Sequence, residues 1–142
     1  MTEALTPPRS GALAGLRVID FGQGVSAPHC ARLFADFGAE VIKVEPPQGD
    51  AARRSGPYPG DLPDDEKSGL FFFHNTDKLG VTCDASQPEG RALLLELVKR
   101  ADALVELGAS HRTAIQRIDE RPQDLRPPDG GSGLGPDVVC RK

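Results

Sequence analysis

Gly22, Gly24 and Ala27 are spaced as G-x-G-x-x-A, between an apolar run ending at Phe21 and a helical pattern beginning near Ser26. Glycines so placed let the backbone turn tightly and approach a pyrophosphate, whose charge then faces the N–H groups of a helix N-terminus. Glu45 ends the next apolar run about 20 residues on, the place of a carboxylate that accepts from a ribose hydroxyl. Taken alone, these residues describe a small NAD-binding Rossmann-type module without catalysis. They equally describe a strand-to-helix turn that uses glycine only for backbone freedom. Asp20 sets a negative charge two residues before the first glycine, and Pro28 removes an N–H from the helix start.

Other reactive side chains are scattered. Cys30, Cys83 and Cys140 form no C-x-x-C pair, which argues against a disulfide framework or a zinc site, so reduced thiols and no metal are expected. Cys30 lies on an apolar helical stripe and reads as a small core residue, whereas Cys83, near a strand end, is better placed to face a ligand. His29, His74 and His111 have no partner at metal or triad spacing and read as structural or surface residues. Asp64, Asp65, Glu66 and Lys67 read as a solvated charge run, and Phe71, Phe72 and Phe73 as core. No catalytic residue is assigned.

Periodicity supplies the elements that must position these groups. After a loose leader over residues 1–12, Leu16, Val18, Ile19 and Phe21 make a short buried strand within residues 16–21. Ser26 can cap a helix with Pro28 just inside its start. Cys30, Leu33, Phe34 and Phe37 then fall at i, i+3, i+4 and i+7, and Gly38 stands where a left-handed C-terminal cap is wanted. EVIKVE (40–45) is a second strand, closing a βαβ unit with parallel strands. Five prolines and four glycines from Pro46 to Gly69 preclude regular structure over most of that stretch, a length typical of loops that cover a ligand.

LFFFHN (70–75) fits a buried helical turn or a strand, and GVTCD (80–84) a strand with Val81 and Cys83 on one face. Ser86 and Glu89 have capping-box spacing ahead of a helix through Ala101, with Pro88 near its start and an inward stripe of Leu94, Leu97, Val98 and Ala101. DALVE (102–106) is a fourth strand. The alternation predicts an α/β class: a Rossmann-like parallel sheet with flanking helices over residues 13–106. From 107 to 142, prolines and glycines interrupt every apolar pattern. A truncated architecture with a largely irregular tail is expected, with HRTAIQRI as its one candidate helix.

A chain of 142 residues with 38% hydrophobic content can bury one ordinary core. Its net charge of -4 provides no broad basic field for nucleic acid or an anionic membrane. No apolar run reads as a signal peptide or approaches the roughly 20 residues that span a bilayer, so a cytoplasmic protein is expected.

The ordered set LAGLRVIDFGQGVSAPHCARLFADFGAEVIKVEPPQGD, FFFHNTDKLGVTCD and PEGRALLLELVKRADALVE resembles the N-terminal part of the class III coenzyme A transferases. That family includes formyl-CoA transferase and alpha-methylacyl-CoA racemase. The resemblance implies a domain that binds coenzyme A or acyl-CoA at the C-terminal ends of its strands, with a carboxylic acid as acceptor in the full-length enzyme. It also implies an interlaced homodimer. Positions matching family contacts to the coenzyme, largely through backbone, are Val25 and Ser26 in the turn and Cys83, Asp84, Ala85 and Ser86 at a strand end.

Two departures stand out. Pro46 occupies a position that is basic in many members, leaving phosphate contacts to residues such as Arg53 or Arg54. Val105-Glu106-Leu107-Gly108 lacks the Asn-Phe pair of the family segment. The resemblance sets the aspartate that forms the acyl-enzyme anhydride beyond position 142. The expectation is therefore a coenzyme-binding part that is inactive alone. A truncated or frame-shifted product without a native role is a third reading, since a partly removed sheet leaves apolar edges exposed.

Overall fold

The computed structural model describes residues 10–107 and the backbone of one further strand, Val138–Cys140. Strands β1 (Arg17–Asp20), β2 (Glu40–Glu45), β3 (Leu79–Thr82) and β4 (Ala103–Val105) alternate with helices α1 (Ser26–Asp36), α2 (Gly69–Asn75) and α3 (Pro88–Lys99). With β5 (Val138–Cys140), the sheet order is β3-β2-β1-β4-β5. The first four strands pair in parallel, and β5 adds an antiparallel edge.

Period-two alternation divides the apolar residues between the two sheet faces. Val18, Val41, Ala103 and Val105 pack beneath α1, while Ile19, Val44 and Leu104 pack against Leu94 and Val98 of α3. Helices thus cover both faces, as a parallel sheet with near-continuous apolar strands requires. The inward stripe expected for α3 is correct: Leu94 and Val98 are buried, and Leu97 and Ala101 pack partly against the same cluster. Val81 and Cys83 share that cluster, as their alternation implies.

The inward face of α1 differs from the expected stripe. Ala27, Pro28, Ala31 and Ala35 are buried, Cys30 and Phe34 pack partly against the core, and Leu33 and Phe37 are 45% and 57% exposed. Small side chains let the helix approach the sheet closely, which turns the larger residues outward. Gly38 follows the C-cap at φ 99°, as expected of the residue that ends the helix in the left-handed region.

Two further expectations need correction. Phe72 and Phe73 lie on the exposed side of α2, and His74 is the residue of that helix which turns inward. The capping box of α3 does not form: Gln87 is the N-cap without a side-chain bond, and the Ser86 hydroxyl donates to Asp84 Oδ1 at 2.6 Å. Within the tail, Val138–Cys140 pairs with the outer edge of β4, where two valines suit a strand. The candidate helix HRTAIQRI and residues 1–9 of the leader lie outside the described residues.

Candidate functional site

The strand ends carry the groups that the sequence singles out. β1 leads through Phe21-Gly22-Gln23-Gly24 into α1, and β3 leads through Cys83-Asp84-Ala85-Ser86 toward α3. Because the strands are parallel, both segments lie at the C-terminal edge of the sheet, where ligands of open α/β folds bind. Val25 is the N-cap of α1 and Ser26 its first residue, so Ser26 does not act as the cap. No side chain caps this end, and Pro28 lacks an N–H, leaving the N–H groups of Ser26 and Ala27 without an intrahelical acceptor.

The two glycines do not offer their amides outward. Gly22 N–H donates to Asp20 Oδ1 at 3.0 Å, and Gly24 N–H donates to Asp50 Oδ1 at 2.9 Å. Ala52 N–H donates to the same Asp50 oxygen at 2.8 Å. Lys43 Nζ lies 2.6 Å from Asp50 Oδ2 and also donates to the Gly22 carbonyl. Lys78 Nζ donates to Asp20 Oδ2 at 2.8 Å, to the Pro28 carbonyl at 2.7 Å and to Asn75 Oδ1 at 2.9 Å. All four charged side chains are at least 98% buried. Two carboxylates and two ammonium groups, drawn from four segments of the chain, therefore enclose the turn.

Register explains how β1 and β2 present two of them. Asp20 and Lys43 are direct cross-strand partners, each two positions beyond a core valine on the α1 face, and their charged atoms are 3.7 Å apart. Burial pushes the Asp50 carboxyl up. The Lys43 hydrogen bond, the Ala52 and Gly24 amides and the Lys43 charge outweigh it and hold Asp50 below the usual carboxylate range. Burial lowers Lys78, and the Lys43 charge adds to the fall. Asp20, by charge and hydrogen bond, opposes it only in part.

Glu45 is engaged within the chain. Its carboxylate is bidentate with Arg53, Nε to Oε2 at 2.7 Å and Nη2 to Oε1 at 2.9 Å, and it also accepts from Asp50 N–H at 3.0 Å. Burial raises Glu45, but these bonds and the nearby cations more than reverse the effect. Together with the occupied glycine amides, this corrects the NAD reading: the carboxylate and both glycine donors already have internal partners. Arg53 is likewise committed. It reaches Glu66 at 3.2 Å, and its guanidinium lies 3.8 Å over the Phe71 ring, so it is not the free phosphate ligand expected. Arg54 donates to the Gln48 carbonyl at 3.1 Å on the exposed side.

At the second strand end, Cys83 turns inward. Its thiol is buried and donates to the Gly90 carbonyl at 3.1 Å, and burial with the Asp84 charge pushes its pKa up, so it is not an activated nucleophile. Asp84 Oδ1 accepts from both the N–H and the hydroxyl of Ser86. Ser86 is the exposed residue of this segment. His29 and His74 meet edge to face at 5.3 Å, and Phe73 stacks on His29 at 6.3 Å, a packed aromatic group between α1 and α2. Asp64 and Lys67 pair on the exposed surface, as a solvated run should. Among the described residues, no group of three His, Cys, Asp or Glu could hold a metal ion, and no helix is long and apolar enough to cross a membrane.

No linear motif marks Lys43, Asp50 or Lys78. The available signal was Lys43 itself, a charge at an inward position of a buried strand, which demands a counter-charge nearby.

A parallel sheet flanked by helices, whose first strand passes through a glycine turn into an uncapped helix, defines a Rossmann-like α/β domain. The chain belongs to CoA-transferase family III, whose model matches residues 13–126. It is 42% identical over 96 residues to a succinyl-CoA:mesaconate CoA-transferase of Haloarcula hispanica, covering 68% of this chain and 24% of that protein. It is also 42% identical over 98 residues to a formyl-CoA:oxalate CoA-transferase of Bradyrhizobium diazoefficiens, covering 67% of this chain and 22% of that one. A CAIB/BAIF family protein from Brucella suis superposes with a TM-score of 0.64 at 29% identity, covering 81% of this chain and 30% of the other. The chain thus spans about a quarter of the length of the curated relatives it matches.

Proposed function

We propose that this chain is the coenzyme A-binding N-terminal part of an acyl-CoA:carboxylate CoA-transferase. The observation that carries the reading is the uncapped head of α1, where the N–H groups of Ser26 and Ala27 lack intrahelical acceptors at the C-terminal edge of the sheet. A pyrophosphate anion suits such a helix start. The backbone of Cys83-Asp84-Ala85 and the side chain of Ser86 form the second contact segment, with Val25 and Ser26 the first. Residues 13–106 are the binding unit, and residues 107–142 a divergent continuation.

Catalysis in this reading needs a carboxylate nucleophile that attacks the acyl-CoA thioester, forms a mixed anhydride and releases the coenzyme thiolate, which splits transfer into two covalent steps. No residue of this chain is assigned that role, so the chain alone binds without turning over. The whole protein acts on acyl-CoA and a carboxylic acid in the cytoplasm, as an interlaced homodimer. Titration calorimetry with coenzyme A tests the reading. Saturable binding that NADH does not displace is expected, while no binding heat, or displacement by NADH, overturns it.

A further inference from the structure

We propose that Asp50 is a positioning residue for the coenzyme turn: its buried carboxylate holds the Gly24 amide and so sets the direction of the N–H groups at the head of α1. The inference rests on the coenzyme-binding reading and adds a residue that makes no ligand contact itself.

Three features support it. Asp50 is fully buried, and each carboxylate oxygen has a defined task. Oδ1 accepts from Gly24 N–H at 2.9 Å and Ala52 N–H at 2.8 Å, tying the turn to the segment after β2. Oδ2 holds Lys43 at 2.6 Å, and Lys43 in turn donates to the Gly22 carbonyl, so one ion pair grips the turn on both sides of Gln23. Gly24 has φ 76°, in the left-handed region, and the space where a Cβ would stand is open. The Asp50 hydrogen bond fixes the last amide of the turn before the chain enters Val25 and Ser26. On the far side, Lys78 bonded to the Pro28 carbonyl restrains the first turn of the helix.

A single Asp50 substitution would strip buried Lys43 of its closer carboxylate and leave only Asp20 at 3.7 Å, and loss of binding could then follow from unfolding. The informative comparison uses two double variants of equal charge, Lys43→Met with Asp50→Asn and Lys43→Met with Asp50→Ala. Asparagine keeps an oxygen that can accept from Gly24, and alanine does not. Both variants lack the Lys43 grip, so the comparison is between them: calorimetry with coenzyme A is expected to give the alanine variant an affinity about tenfold or more below that of the asparagine variant. Amide exchange at Val25 and Ser26, measured without ligand, is expected to be faster in the alanine variant than in the asparagine variant.

Equal affinities in the two folded variants, with equal exchange, overturn the positioning role. If the unsubstituted chain binds no coenzyme A, the proposed function fails, and the exchange measurement still decides whether Asp50 orders the head of α1.

Discussion

Gly90 lies in the first turn of α3, directly after Pro88 and Glu89. Intrinsic propensity says that alanine there should stabilise the helix by up to about 1 kcal/mol. The structure reverses the sign. A Cβ at position 90 would meet the Asp84 carbonyl oxygen at 2.0 Å and its carbon at 2.6 Å, both backbone atoms, about 1.4 Å inside ordinary contact for the oxygen. The Asp84 carbonyl cannot yield freely, because it accepts from Gln87 N–H at 3.1 Å and forms the entry to the helix. Overpacking of this kind costs about 1–3 kcal/mol, and disrupting the turn bond about 1 kcal/mol more. Set against the propensity gain, Gly90→Ala should lose about 1–3 kcal/mol, lowering Tm by about 4–8 °C per kcal/mol in a domain near 100 residues. Thermal unfolding followed by circular dichroism measures it. A variant as stable as the original, or more stable, would refute the close approach of α3 to the β3 strand end.

Helix α1 supplies a paired test: Ala31→Leu, at a fully buried site against the sheet, should cost about 1–3 kcal/mol. By contrast, Leu33→Ala at a 45% exposed site should change stability by no more than about 1 kcal/mol in urea unfolding. The reverse order would mean that the helix is rotated. Stability should also fall on acidification. Burial, with the charges of His29, Lys78 and Arg32, holds His74 below its ordinary value of 6.5 despite the opposing Asp50 charge, so the fold favours the neutral ring. The contribution is complete above 6.5 and is lost as pH falls through the lower folded value. Asp50 and Glu45, held below 3.8 and 4.5, lose theirs further down. Urea midpoints followed downward from about pH 7.5 should show the histidine stage before the carboxylate stage. His74→Gln should flatten only the first, and an unchanged upper stage in that variant would refute the assignment.

The strands were readable from sequence because each is a short apolar run between turn residues, and parallel burial on both faces leaves little else for EVIKVE or DALVE to be. Helix α1 was readable in extent but not in orientation. Its large apolar residues define a stripe by periodicity, yet close packing against a sheet favours alanine, and hydrophobicity alone cannot weigh fit against transfer. The same conflict placed Phe72 and Phe73 in the core on composition and on the surface in three dimensions. The glycine motif located the turn correctly and assigned the wrong donors, because its spacing says nothing of Asp50, 26 residues away, whose carboxylate takes the Gly24 amide. Long-range ion pairs leave no local pattern, and Lys78 bonds to Asp20 across 58 positions.

The buried lattice beneath the turn has a consequence for ionic strength. Asp20, Lys43, Asp50 and Lys78 cancel in charge within a few ångströms, with contacts of 2.6 to 3.7 Å. A field from such a compact neutral group decays within a short distance, well before mobile ions could screen it over a Debye length of about 8 Å. An anion bound at Ser26, as proposed, would therefore meet oriented peptide dipoles and no net charge from the lattice. Attraction there acts at contact range, and salt has little hold on it, unlike a phosphate site built from exposed arginines.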